Sequence, residues 1–321
     1  MICVSNAIRT ASAKKRMRAF IKILAIITAL LIPGLFPMAS SGDEALKFRH
    51  VTSIYSDDQE LSLKQPEGVT CNDNSHLIVA DTGNGRLLRF MLNGKNIKQG
   101  QEIKLPQLSY PVMTQMTSEG EIFVLDGRQR RIIRITAAGK FSGFIDAQGL
   151  SSTATSGPKS FNIDKDGSMY ILDILSGRVI MHNPRGQYLK HIKFPQEYGV
   201  ISDLTVDDRG TIYLIDSVNA QVFSAGKSAS AFAALTQRLN EYMRFPTRIT
   251  TDKRGRIYLV DRNGGRVIIL GQDGSYLGRL SAMGWKEGLL NYPSQMCLND
   301  KGEIFIADTN NNRIQIFTVI E

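Results

Sequence analysis

From residue 46 onward the hydrophobic positions fall in short runs separated by turns rich in Gly, Asn, Asp and Pro. Runs of this length bounded by such turns predict β-strands. The stretch after Pro246 shows the unit. RITTD (248–252) is an extended run, and DKRG (252–255) is a tight turn in which Gly255 is free to take positive φ. RIYLV (256–260) is an apolar strand ending at Asp261, and RNGG (262–265) is a second turn. RVIIL (266–270) is a third strand, and GQDG (271–274) turns into an outer strand, SYLGRL (275–280). The second and third strands are apolar without alternation, which predicts sheets covered on both faces.

This unit recurs six times. Asp81, Asp126, Asp173, Asp216, Asp261 and Asp308 end the second strand of each copy, at spacings of 45, 47, 43, 45 and 47 residues. An Arg follows five residues later in five copies, as Arg86, Arg131, Arg178, Arg266 and Arg313; the fourth copy has Gln221. A Pro precedes the Asp by fifteen residues in five copies, as Pro66, Pro111, Pro158, Pro246 and Pro293; the fourth has Ile201. Four short antiparallel strands in 43–47 residues are the size of one propeller blade. The fold class expected is therefore all-β, a six-bladed β-propeller.

The sixth copy stops after its third strand, near Phe317–Glu321. An unclaimed strand-like segment, Leu46–Tyr55, lies at the other end of the repeats. Pairing it as the outer strand of the last blade closes the ring and leaves no open edge there.

The pattern P-x-G, then D-x-x-G-x-[IF]-[YF]-[VL]-x-D, then x-x-N-x-R resembles the NHL repeat. Pro66–Arg86 and Ala307–Arg313 carry it best, and the fourth copy departs most. The resemblance spans about 46–321. It implies a propeller fold, and relatives that bind protein or RNA; the same fold also hosts lyases, lactonases and esterases. Fold does not choose among these.

The first 41 residues read differently. Lys14, Lys15, Arg16, Arg18 and Lys22 lead into an apolar run, Ile23–Phe36, and then into Ala39, Ser40 and Ser41. This is the build of a signal peptide (1–41), with one domain following (42–321), and translation starting at Met1 or Met17. The apolar run is too short for a membrane span, which needs about 20 residues. The expected location is periplasmic or extracellular, with no membrane span after cleavage. The whole chain is formally +9. Without the six basic residues of 1–41 it has 33 basic and 30 acidic residues, a net of +3. That balance removes the argument for nucleic acid, so no nucleic-acid partner is expected.

Several features invite chemical readings. Six carboxylates at equivalent sites suggest a metal ring. The simpler role is that each Asp accepts N–H bonds from its turn, with the Arg five on as a charge partner. His50, His76, His182 and His191 fall at unlike repeat positions and do not form a zinc set. Asn72, Asn162 and Asn299 lie on inner strands, but no Glu joins them for a calcium centre. Asp164-Lys165-Asp166-Gly167 starts like a calcium loop but lacks the later Glu, and reads as a β-turn. No cofactor or bound metal is expected. Cys71 and Cys297 lie on the first strands of blades one and six; export permits a disulfide, and two buried thiols are the alternative.

The binding face is sought where the second-to-third-strand turns meet the connections between blades. Candidate contacts there are Tyr110, Arg128, Arg130, Tyr198, Arg244, Arg262, Trp285, Lys286 and Tyr292, since aromatic and Arg side chains anchor interfaces. Tyr110 and Tyr292 precede the repeat Pro and fit a packing role equally well. In the connection 227–245, Phe232, Leu235, Leu239, Tyr242 and Met243 fall at helical spacing, which predicts a short amphipathic helix covering apolar surface near Val218. The function expected is an exported scaffold that binds a protein or envelope component. The alternative is a metal-dependent hydrolase or lyase with its site in the central channel.

Overall fold

The computed structural model describes residues 46–73, 76–93, 96–145 and 156–320. The signal peptide expected over 1–41 lies outside them. Among the described residues no helix is long and apolar enough to cross a membrane.

The described residues form six four-stranded antiparallel sheets, each running from an inner to an outer strand in chain order except the last. Blade five follows the sequence reading: Pro246–Thr251, Ile257–Asp261, Arg266–Leu270 and Tyr276–Leu280. The last blade takes its strands from both ends of the domain. Pro293–Leu298, Glu303–Asp308 and Arg313–Ile320 are completed by Lys47–Ile54. The added strand pairs Phe48 with Val319 and Ile54 with Ile314, with a bulge between His50 and Thr52. One face of it packs Val51 and Ile54 toward Leu77 and Phe90 of blade one. The other packs Phe48 with Tyr258 of blade five and Ile304.

The core lies between blades. Ile78 and Leu87 of blade one meet Ile122 and Ile133 of blade two, and Tyr213 and Ile215 of blade four meet Ile257 and Ile268 of blade five. Both faces of a middle strand are thus buried, which is why those strands lack alternation.

Residues 227–245 do not form the expected helix. Ala233–Ala234 pair with Phe223 and Ser224 as the outer strand of blade four. The Thr236 hydroxyl then accepts from Val222 N–H at 3.0 Å, and the chain makes one turn at Leu239, whose carbonyl accepts from Tyr242 and Met243. Completing a sheet edge outweighed a helical pattern too short to stand alone. The apolar side chains still cover a core, with Leu235, Leu239, Tyr242 and Met243 between blades four and five. Val218 is not beneath them; it is 53% exposed.

Candidate binding face and axial channel

The six repeat Asp residues are fully buried. Each carboxylate also reaches beyond its own turn. In blade two, Asp126 accepts from Arg128 and Gln129 N–H in the turn, and from Ser109 and Tyr110 N–H in the preceding connection. In blade four, Asp216 accepts from Val218 and Asn219 N–H, and from Gly199 and Val200 N–H. The Asp therefore fastens the incoming connection to the blade. Burial works to raise both carboxyls, but the N–H bonds outweigh it and hold them below the ordinary value. Asp173 and Asp261 bind the same way, to their turns and to Gly157 and Arg244 N–H. Asp81 and Asp308 hold the connection at Lys64 and Asn291 N–H but, against expectation, accept no N–H from their own turns, which are 3-10 turns.

The Arg five residues on is not a uniform partner. Arg86 and Arg313 reach their Asp at 2.8 and 2.7 Å, and Arg266 stands at 3.5 Å. Arg131 instead lies over the Phe144 ring, and Arg178 turns to the Ser176 carbonyl. The sequence reading included the Asn of the same motif but gave it no role. Asn84, Asn219 and Asn311 each donate to the Asp three residues before, at 2.8 Å. It also missed Thr82, Ser217 and Thr309, whose hydroxyls donate to the carbonyls of Pro111, Pro246 and Pro66 in the next blade. The recurrence of a hydroxyl directly after the Asp was the available signal.

The second-to-third-strand turns and the inter-blade connections occupy one end of the ring, as antiparallel order requires. Ile174, Leu175, Tyr198, Val200, Val218, Met283, Trp285 and Tyr292 are exposed there. Trp285 is 78% exposed and Leu175 54%. Arg128, Arg130, Arg244 and Lys286 are exposed on the same end, with Arg262 half-buried. Arg128 stands 5.2 Å from the Tyr110 ring centre and Arg262 5.9 Å from that of Tyr292, so the structure brings these two pairs together. Trp285, Tyr198 and Arg244 belong to separate connections.

The other end of the ring, built from first-to-second-strand turns, opens into a funnel of about 1180 Å³. Its rim is charged. Lys253 reaches across to Asp300 and to Asp73, 3.7 Å away. Asp164 accepts from Asp166 and Ser168 N–H in a β-turn. The funnel narrows to an axial cavity of about 180 Å³, which reaches Asp203, Arg248 and Gln295. These three stand two residues after the repeat Pro position, and sequence reading passed over them. Inner strands present an unpaired edge to the channel, and its N–H groups need acceptors. Gln295 Oε1 accepts from Val69 and Thr114 N–H, at 3.1 and 3.0 Å. Asp203 accepts from Ile249 N–H at 2.9 Å and from the Ser160 hydroxyl. Burial raises the Asp203 carboxyl, against the lowering effect of Arg248 and these bonds.

The four histidines do not converge: His50 meets Ser53, for example, and His191 meets Tyr188. Among the described residues no three His, Cys, Asp or Glu side chains are grouped to hold a metal. Asn162 reaches the axial cavity and the funnel, while Asn72 and Asn299 cap their own turns at the funnel rim. Cys71 and Cys297 are joined as a disulfide between blades one and six, with Cα atoms 6.0 Å apart.

The family model for the NHL repeat matches residues 290–317, in the last blade. No curated protein sequence matches the chain. Among solved structures, a catalytically inactive virginiamycin B lyase from Staphylococcus aureus with quinupristin is 15% identical, with 85% of this chain and 100% of that one covered and a TM-score of 0.61. A gluconolactonase from Xanthomonas campestris is 13% identical, covering 86% and 90%, with a TM-score of 0.63. A Bacteroides thetaiotaomicron protein of unknown function is 14% identical, covering 86% and 76%, with a TM-score of 0.65. At these identities the likeness is one of fold.

Proposed function

Taking the chain as an NHL-repeat six-bladed propeller, we propose that it is an exported scaffold that holds a protein of the cell envelope on its turn-rich end. The observation that carries this reading is the exposed apolar cluster on blades three and four, Ile174, Leu175, Tyr198, Val200 and Val218, set beside the Arg128–Tyr110 and Arg262–Tyr292 pairs. Large apolar side chains left in water beside arginines are the composition of an interface core and its anchors. The opposite rim is charged and self-paired. The Cys71–Cys297 bond supports an oxidising compartment. The partner expected is a protein whose contact surface carries apolar and acidic side chains.

The test is capture from the native envelope with the 42–321 domain as bait. Replacing Leu175 and Val218 with Ser, or Arg128 and Arg130 with Glu, is expected to lower capture of the main partner at least ten-fold with the fold intact. Capture unchanged in both variants would sink the reading.

A second reading, a metal-dependent hydrolase or lyase, draws support from the lyases and the gluconolactonase that share the fold. Metal analysis of the purified domain separates the two. A stoichiometric Ca²⁺ or Zn²⁺ held at the channel favours the second.

A further inference from the structure

The axial cavity holds a guanidinium whose donors are not used. Arg248 enters the channel from the inner strand of blade five, with its side chain 13% exposed. Its nearest acid is Asp203, at 3.9 Å, beyond hydrogen-bond reach. Among the described residues its guanidinium makes no hydrogen bond. A buried Arg normally has its planar fork matched by an acceptor. Asn162, two blades away, also lines this cavity, and its side-chain oxygen is buried without a partner. The Asn162 amide makes no hydrogen bond to any described residue and is free to turn its NH₂ group toward an acceptor.

Asp203 balances the Arg248 charge at ion-pair distance but gives its fork no hydrogen-bonded acceptor. Lys159 stands close enough for mutual repulsion, and its ammonium is held below the ordinary value by burial first and then by Arg248. Glu67 acts on Lys159 in the opposite sense. Asp203 is bound on both oxygens, to Ser160 and to Ile249 N–H. The remaining walls are mixed: Val69, Met113, Leu204, Ile249 and Met296 stand among Thr70, Gln115, Thr250, Thr251 and Gln295. The cavity volume of about 180 Å³ is slightly above the roughly 150 Å³ that accepts a benzene ring in an engineered protein cavity. Access runs through the funnel, since Met116, Asn162, Ile163, Thr250, Thr251 and Leu298 line both spaces.

We propose that the axial cavity binds a small organic monocarboxylate, with its carboxylate on the Arg248 fork and the Asn162 amide and its apolar body against Val69, Leu204 and Met296. One guanidinium fork without an acceptor fits one carboxylate. The side chains of Val69, Leu204 and Met296 on these mixed walls give an organic acid packing that an inorganic anion cannot gain.

Benzoate is the probe, with benzamide as its neutral isostere and sulfate as the inorganic anion, each titrated calorimetrically into the 42–321 domain. Benzoate is expected to bind at least ten-fold more tightly than either. Arg248→Gln is expected to abolish the preference for benzoate over benzamide. Arg248→Lys, which keeps the charge without the fork, should retain part of it. Asn162→Leu should weaken benzoate several-fold and leave Arg248 in place, so it serves if the Arg248 variants fail to fold by circular dichroism. Equal binding of benzoate and benzamide, binding of sulfate as tight as benzoate, no benzoate binding, or benzoate binding unchanged in a folded Arg248→Gln or Asn162→Leu protein would each overturn the proposal.

Discussion

The repeat Asp is where a single side chain decides most. Asp216 takes four backbone N–H bonds. Asp216→Ala leaves those donors buried, and about 3 kcal/mol of stability should be lost in urea unfolding. The pH dependence follows from the same bonds. Asp126 and Asp216 are held below 3.8, the value to which they return when unfolded. Their contribution is complete above that value and is lost as pH falls through the depressed folded one. The acid limb of a Tm-against-pH curve should therefore be shallower in the Asp126→Asn, Asp216→Asn double variant. Sequence spacing made these carboxylates legible, because an identical residue at a fixed interval needs an identical job. It did not make Asp203, Gln295 and Arg248 legible. They occupy one level of the channel with different residue types, so no period marks them. Arg130 shows a compromise at this scale. The last position of each second-to-third-strand turn is left-handed, and Arg130 holds φ 51° where Gly85, Gly177 and Gly265 stand elsewhere. Arg130→Gly should raise stability by about 1 kcal/mol while weakening partner capture, and a variant at once firmer and poorer at binding would separate the two roles.

Among elements, the outer strands are the variable ones. Blade four has only Ala233–Ala234 there, with Thr236 supplying a hydroxyl acceptor where the strand gives out. Thr236→Val removes that acceptor from the buried Val222 N–H and should cost about 1–2 kcal/mol in denaturant unfolding. Phe232, Leu235, Leu239 and Met243 carried an apolar pattern that fits a helix or an extended cover equally well. Which one forms depends on whether the third strand, Gln221–Ala225, has a neighbour, and that is a tertiary fact. The binding end was legible only in outline. Turn chemistry placed Tyr110, Arg128, Arg262 and Tyr292 on one end, but the exposed cluster of Ile174, Leu175 and Val218 emerges only when burial is known.

For the whole molecule, two fastenings close the ring. Lys47–Ile54 completes the last blade, and the Cys71–Cys297 bond ties that blade to the first across 226 residues of chain. A cross-link over so long a loop restricts the unfolded chain strongly, and Cys297→Ser should lower unfolding free energy by about 2–4 kcal/mol. Reducing agent should then shift the Tm of the native protein and leave that of the variant unchanged.

The shared last blade also imposes an order of events in time. Of the described strands, Lys47–Ile54 leaves a ribosome first and Arg313–Ile320 last, yet each is the other's neighbour. The early strand must wait, unmatched, through the synthesis of five intervening sheets. Final closure therefore waits for Arg313–Ile320 and cannot proceed piece by piece before that strand is made. For the export proposed above, that delay keeps the toroid unlocked until Arg313–Ile320 has passed.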